Sequence, residues 1–179
     1  KGADLYRLGY TFSGSANVIL KYLNATFLWE KVRVQGGAYG GFVGFNHRSG
    51  VFNYLSYRDP NLLGTLDNYD QTAHFLRNLN LSQEELVKGI IGAIGDMDAY
   101  QLPDAKGFTS LQRYLVGETD AQRKGWREQV LATTAADFRA FGEVLEAVKE
   151  QGLVVVLGSA DAIEKANAER GGFLDVKKV

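Results

Sequence analysis

The residues best suited to chemistry are Arg33 and Tyr39, in the run Arg33-Val34-Gln35-Gly36-Gly37-Ala38-Tyr39-Gly40-Gly41. An Arg at a helix end and a Tyr among four glycines can both project from a loop whose backbone approaches a ligand closely. A phenol is an uncharged donor at neutral pH, suited to hydrogen-bond a carbonyl oxygen as it becomes an oxyanion. A guanidinium offers a fork of donors to peptide carbonyls or to a carboxylate. On residue types alone the alternative stays open: a helix-capping Arg and a strand Tyr packed on a sheet.

Other chemistry finds little material. Two His and no Cys in 179 residues cannot build a structural zinc site, and they leave a catalytic one only widely spaced ligands. No phosphate-binding G-x-x-x-x-G-K-[ST], no G-x-G-x-x-G after a strand and no G-x-S-x-G occurs. His47 falls in an expected turn beside Arg48, and His74 lies on an expected helix one turn after Asp70; both read as structural or solvated. Asp96-Met97-Asp98 sits at a helix end without the further oxygen ligands that calcium needs, so capping and solvation explain it. With 20 Lys and Arg against 21 Asp and Glu, the formal charge is −1, which argues against nucleic-acid tracking or a polybasic membrane contact. No apolar run approaches the length of a membrane span. The absence of Cys leaves the redox compartment open.

The elements that must position Arg33 and Tyr39 follow from periodicity. Residues 5–12 alternate loosely and read as an entering strand. Ser13-Gly14-Ser15 offers hydroxyl caps to a helix over about 16–32. Residues 42–45 and 51–57, joined by the turn-like Asn46-His47-Arg48-Ser49-Gly50, read as a β-hairpin. Asp59-Pro60-Asn61 stops the second strand and opens a helix over about 62–79. Ser82-x-x-Glu85 is a capping box for a helix over about 83–97, with Gly89, Gly92 and Gly95 three apart for close packing. Helices are expected over 105–116, 120–132 and 134–149, the last with Asp137 at its third position and Gly152 as its stop. A buried strand over 153–157, a short helix over 161–169 and a final strand over 173–179 complete the reading. The fold class is α+β: a mainly antiparallel sheet with helices packed on one side, in a single domain spanning 1–179. Glycine, 21 of 179, exceeds the usual share of about 7% and concentrates between Gly36 and Gly44.

Phe27-Leu28-Trp29-Glu30-Lys31-Val32-Arg33 through Gly41 closely resembles the C-terminal domain of presequence proteases. These form the one-chain branch of the pitrilysin/insulinase zinc metallopeptidases, with LuxS/MPP-like domains. Ser49-Gly50-Val51-Phe52, Ser56-Tyr57-Arg58-Asp59-Pro60-Asn61-Leu62, Gly92 to Gly107 and Phe173 to Lys178 carry the likeness nearly end to end. The resemblance implies four homologous α+β domains closing around a peptide chamber. Zinc would be held in the first by an H-x-x-E-H motif that this sequence lacks, so no metal ligand is expected here and zinc is implied only for a full-length enzyme. By the motif R-x-x-G-G-A-Y-G, Tyr39 would donate to the scissile carbonyl oxygen and Arg33 would hold substrate backbone. Gly37 and Gly40 would flank the substrate.

The implied function is that of the fourth domain of an oligopeptidase that degrades short unstructured peptides. The competing expectation is a non-catalytic structural or peptide-binding domain that walls the chamber or mediates assembly. Expected partners are the remaining domains of the same chain and peptide substrates, with neither nucleic acid nor membrane. The compartment would be cytoplasmic in a bacterium, and mitochondrial or plastid in a eukaryote. A start at Lys1 rather than Met fits a piece of something longer.

Overall fold

A computed structural model describes residues 1–177. Its elements are β1 (Gly2–Asp4), α1 (Ser15–Ala25), a π-helix (Trp29–Gln35), β2 (Gly40–Asn46), β3 (Val51–Tyr57), α2 (Leu62–Arg77), α3 (Gln83–Met97), α4 (Pro103–Leu115), α5 (Asp120–Leu131), α6 (Ala135–Gln151) and α7 (Ala160–Glu169). The strands form one antiparallel sheet in the order β1-β3-β2. The α+β expectation therefore holds, with a small sheet and many helices.

The hairpin β2–β3 is in the expected place, with Phe42 opposite Leu55 and Val43 opposite Tyr54. Strand side chains alternate between faces, and the two faces differ in partner. Val43, Phe52 and Tyr54 point into the core, where Ile19 and Leu23 of α1, Leu66 and Leu76 of α2, and Phe138 and Leu145 of α6 meet them. Phe42, Leu55 and Tyr57 stand exposed on the other face. Within the core the Tyr54 ring stacks on Tyr69 at 4.7 Å, and its hydroxyl bonds that of Thr72. Burial pushes the Tyr54 phenol well above its ordinary pKa, so it stays a neutral donor.

The outer edge of β2 is closed by a side chain. Asn24, near the end of α1, donates from Nδ2 to the Val43 carbonyl at 2.9 Å and accepts the Val43 N–H on Oδ1 at 2.8 Å. One amide thus substitutes for a neighbouring strand at that residue, satisfying two backbone groups that burial would otherwise leave unpaired.

Three capping boxes start helices: Ser82 with Glu85, Thr119 with Gln122, and Thr134 with Asp137. Gly152 terminates α6 as expected. Gly89 and Gly92 do face α1, where an added Cβ would meet Val18 and Lys21, whereas Gly95 meets nothing within 4 Å.

Several local expectations are overturned. Residues 5–12 form turns and irregular backbone, and the strand is the shorter β1 before them. Gly9 adopts φ +86° there, and Tyr6, Tyr10 and Phe12 instead gather edge-on or tilted around Phe45. The cap of α1 is Gly14, with no side-chain hydrogen bond. Its N–H is taken by Gln129 of α5 at 2.7 Å, so a tertiary contact joins the Ser13 hydroxyl, which accepts the Ser15 N–H at 3.4 Å. The single helix over 16–32 breaks at Thr26, whose hydroxyl donates back to the Tyr22 carbonyl at 2.7 Å, and resumes with π geometry.

Residues 153–157 are not a buried strand. Leu153, Val155 and Leu157 are 79, 89 and 93% exposed, with a single bridge between Gly2 and Leu153. The apolar alternation is present, and Val154 packs against the core, but Leu153, Val155 and Leu157 are left uncovered among the described residues. The final strand expected over 173–179 is irregular through residue 177, and its last two positions lie outside the described residues.

The tip of the hairpin carries the half-buried His47, stacked on Phe12 at 5.1 Å and edge-on to Trp126 at 4.9 Å. Its Nε2 lies 3.7 Å from the Glu118 carboxylate, which Arg48 holds at 2.9 Å. Burial lowers the His47 pKa, partly opposed by the Glu118 charge. Burial tends to raise Glu118, but the hydrogen bond and charge of Arg48, with His47 and Arg113, outweigh it and leave that pKa lowered.

Both shifts have the same consequence on acidification. The unfolded chain takes up a proton at His near its ordinary value of about 6.5 before the folded chain does, so stability falls as pH drops through that value. A further loss follows at lower pH as Glu118 protonates. The protection factors of the amides of residues 46–50, taken relative to the intrinsic base-catalysed exchange rate at each pH, should therefore be higher at pH 7.5 than at pH 5.5, and His47→Phe should flatten that difference. Equal protection at the two pH values would contradict this account.

Candidate functional site

The π-helix Trp29–Gln35 ends in a turn shaped by glycine. Gly37 adopts φ +74°, a left-handed conformation that residues with a Cβ enter at a cost of about 1–2 kcal/mol. Its N–H donates to the Arg33 carbonyl at 3.0 Å, and the Ala38 N–H donates to the Val32 carbonyl at 3.2 Å. These spans of four and six residues are each one longer than in the usual glycine-terminated α-helix, as expected where the preceding turns are already widened. The Gly36 carbonyl accepts from Asn61 Nδ2, which ties the turn to the start of α2.

Beyond the turn the chain enters β2 directly. Tyr39 N–H donates to the carbonyls of Tyr57 at 3.1 Å and Arg58 at 3.4 Å, anchoring the residue to the end of β3. Arg58 itself has φ +48°, the only non-glycine residue of positive φ among the described residues. Gly40 is buried opposite Tyr57, and a Cβ there would lie 2.5 Å from the Phe42 ring. Gly41 lies against the helix, where a Cβ would sit 2.7 Å from Val32 Cβ. Strand and helix therefore meet at van der Waals distance with no room for a side chain.

Arg33 and Tyr39 are both exposed, on either side of the Gly36-Gly37 turn. They do not bond to each other; each rests on its own aromatic ring. The Arg33 guanidinium lies 4.1 Å over the Trp29 ring. The Tyr39 ring meets Tyr57 edge-on, centroids 5.9 Å apart and planes at 89°. Tyr39 is 67% exposed, and its hydroxyl makes no hydrogen bond within the described residues.

Gly37 is exposed at the turn, while Gly40 is covered by its surroundings. Next to the turn, a cavity of about 600 Å³ is lined by Lys31, Gln35, Gly36, Asn61 and the first turn of α2. The anchoring residues Trp29, Tyr57 and Asn61 were not singled out by sequence reasoning. Their signal was available, since Trp29 precedes Arg33 by one helical step, but nothing in the sequence pairs residue 39 with residue 57.

No group of three His, Cys, Asp or Glu among the described residues could hold a metal. His47 is engaged with aromatic rings and Glu118. Asp96 pairs with Lys21 at 2.5 Å, and Asp98 with Arg127 at 2.6 Å. The described side chains do not fit a zinc site, and what the arrangement offers is a phenol hydroxyl and a guanidinium, both exposed.

Comparison with known proteins shows the family of the chain. The family described as the PreP C-terminal domain matches residues 1–160. The chain is 54% identical over 178 residues, 99% of its length, to "Presequence protease 1, chloroplastic/mitochondrial" of Arabidopsis thaliana, of which it covers 16%. It is 30% identical over 179 residues to "Protein HypA" of Clostridium perfringens, covering 18% of that protein. Against the mitochondrial presequence protease of Mus musculus it is 30% identical over 118 residues, 66% of this chain and 11% of that protein. The chain thus spans less than a fifth of the length of each of these relatives, and it belongs to the presequence protease C-terminal domain family.

Proposed function

We propose that this chain acts as the C-terminal, non-zinc domain of a zinc-dependent oligopeptidase that degrades short unstructured peptides inside a closed chamber. The observation that carries the reading is the pairing, across one glycine turn, of an exposed phenol and an exposed guanidinium, each fixed at its base by an aromatic ring. Tyr39 Oη would donate to the scissile carbonyl oxygen as negative charge develops on it, a contact that strengthens in the transition state. The Arg33 donors would take substrate carbonyls and set register. Gly37 would keep the backbone low enough for a peptide to lie beside it, while Gly40, covered by its surroundings, would support the turn and not touch substrate. A zinc ion in such an enzyme would activate the attacking water, and its ligands would come from outside this chain.

The remaining domains of the parent chain and peptide substrates are the expected partners. The names of the Arabidopsis and mouse relatives support a mitochondrial or plastid setting for a eukaryotic parent. One observation favours a structural role in addition. Phe108, Leu111 and Leu115 of α4 lie exposed on a helix that has no buried residue, as a helix covered by another part of a longer chain would.

Arg33→Ala in the full-length enzyme tests the reading. A substrate-holding guanidinium makes charge-assisted hydrogen bonds of about 1.5–3 kcal/mol, so KM for a peptide should rise by about 10- to 100-fold with kcat within a few-fold. An unchanged KM would leave the structural reading.

A further inference from the structure

We propose that Trp29 is a positioning residue for Arg33: its indole face fixes the guanidinium while leaving every guanidinium N–H available to a ligand. This rests on the reading of Arg33 as a substrate contact. Arg58 shares this arrangement more loosely, 5.4 Å over the Tyr57 ring, whereas five other arginines behave differently. Arg48, Arg77, Arg113, Arg127 and Arg170 each lie on a carboxylate, which occupies the donors that a ligand would use. Arg33 has no carboxylate within reach among the described residues, and its one close partner is the ring 4.1 Å away. A ring attracts a cation through its quadrupole, without accepting the in-plane N–H groups that make a guanidinium useful for recognising carbonyls.

The acid most able to capture Arg33 is held elsewhere. Glu30, three residues earlier on the same helix, accepts the Gln35 amide at 2.8 Å, and Gln35 in turn accepts Lys31 Nζ at 3.2 Å. The network Glu30–Gln35–Lys31 engages the helical carboxylate away from Arg33. Gln35 therefore also has a task, although it lies between Arg33 and the glycines and contacts neither ring. Trp29 is about half exposed, so its placement at the surface is not explained by core packing. It is the first residue of the π-helix, a geometry that is rare and frequent at functional sites.

The test is a double-substitution cycle in the full-length enzyme, with steady-state cleavage of a fluorogenic peptide as the readout. Trp29→Leu should raise KM about 2- to 5-fold, the range of an exposed cation–ring contact, and leave kcat within twofold. Trp29→Phe keeps an aromatic face and should restore most of the loss, which separates positioning from a folding defect. In the Arg33→Ala background, Trp29→Leu should add nothing. Full additivity of the two losses would overturn the positioning role while leaving Arg33 as a substrate contact. An unchanged KM in Arg33→Ala alone would overturn the functional reading and this proposal together.

Discussion

Replacing Tyr39 by Phe in the full-length peptidase is expected to lower kcat about 10²- to 10³-fold, the usual loss for one oxyanion donor, with KM changed no more than a few-fold. The geometry makes this substitution unusually clean. The ring of Phe retains the edge-on contact with Tyr57, and the backbone bonds from residue 39 to the ends of β3 are untouched. Because the hydroxyl is bonded to nothing among the described residues and the side chain is 67% exposed, its removal leaves no buried group unpaired there. On the proposed role, what would be lost is a donor at the place where charge develops. An interaction made only in the transition state lowers kcat and kcat/KM together. Single-turnover cleavage of a peptide, measured beside steady-state kinetics, separates that loss from slow product release. A variant with wild-type kcat would remove Tyr39 from the chemistry and return the domain to the role of a wall.

Adding one carbon to Gly41 is expected to have the second large effect. A Cβ there would lie 2.7 Å from both Cβ and Cγ1 of Val32, and Val32 is fully buried, so neither side can yield without moving backbone. Overpacking of this kind costs about 1–3 kcal/mol. The Val32 carbonyl also holds Ala38 at the glycine turn, so a shift of the π-helix away from β2 reaches Tyr39 one residue later. Gly41→Ala should therefore lower the urea midpoint of the domain at unchanged slope and reduce kcat in the full-length enzyme. Gly125→Ala serves as the control: it lies within α5 with nothing inside 4 Å of the added carbon, so exchanging Gly for Ala there should be neutral or stabilising by up to about 1 kcal/mol. Equal midpoints for the two variants would show that the contact between β2 and the π-helix is not tight.

The parts of the fold legible in the sequence are those whose stabilisation is local. The capping boxes at Ser82 and Thr134 bond residues three apart, and α3 and α6 begin where those signals stand. The hairpin was legible because two strand-like runs flank a run of turn residues, while its register, with Phe42 meeting Leu55, came from the structure. The errors share a different cause. Residues 5–12 alternate like a strand, yet their aromatic rings found more surface around Phe45 than a ladder would have given them. Residues 153–157 are apolar enough for a core strand, but burial needs a covering element, and among the described residues they have one bridge to Gly2. Periodicity records what a segment is able to bury, whereas the presence of something to bury it against is a property of the whole chain.

The candidate site divides along the same line. The sequence by itself determined the chemistry: a phenol and a guanidinium six residues apart in a run of glycines, with too few His and Cys for a metal centre. Its density of glycine also marked where backbone must turn sharply or approach closely, and Gly37 and Gly41 do one each. Only the tertiary structure decided what holds Tyr39, whereas the ring under Arg33 is one local helical step away. Helical geometry folds Trp29 under Arg33, and the pairing of β2 with β3 brings Tyr57, eighteen residues away, against Tyr39. The reason is that residue type fixes which protons a side chain can donate, while the direction of donation depends on contacts between segments distant in sequence, whose ordering cost is met by the packing of the entire core.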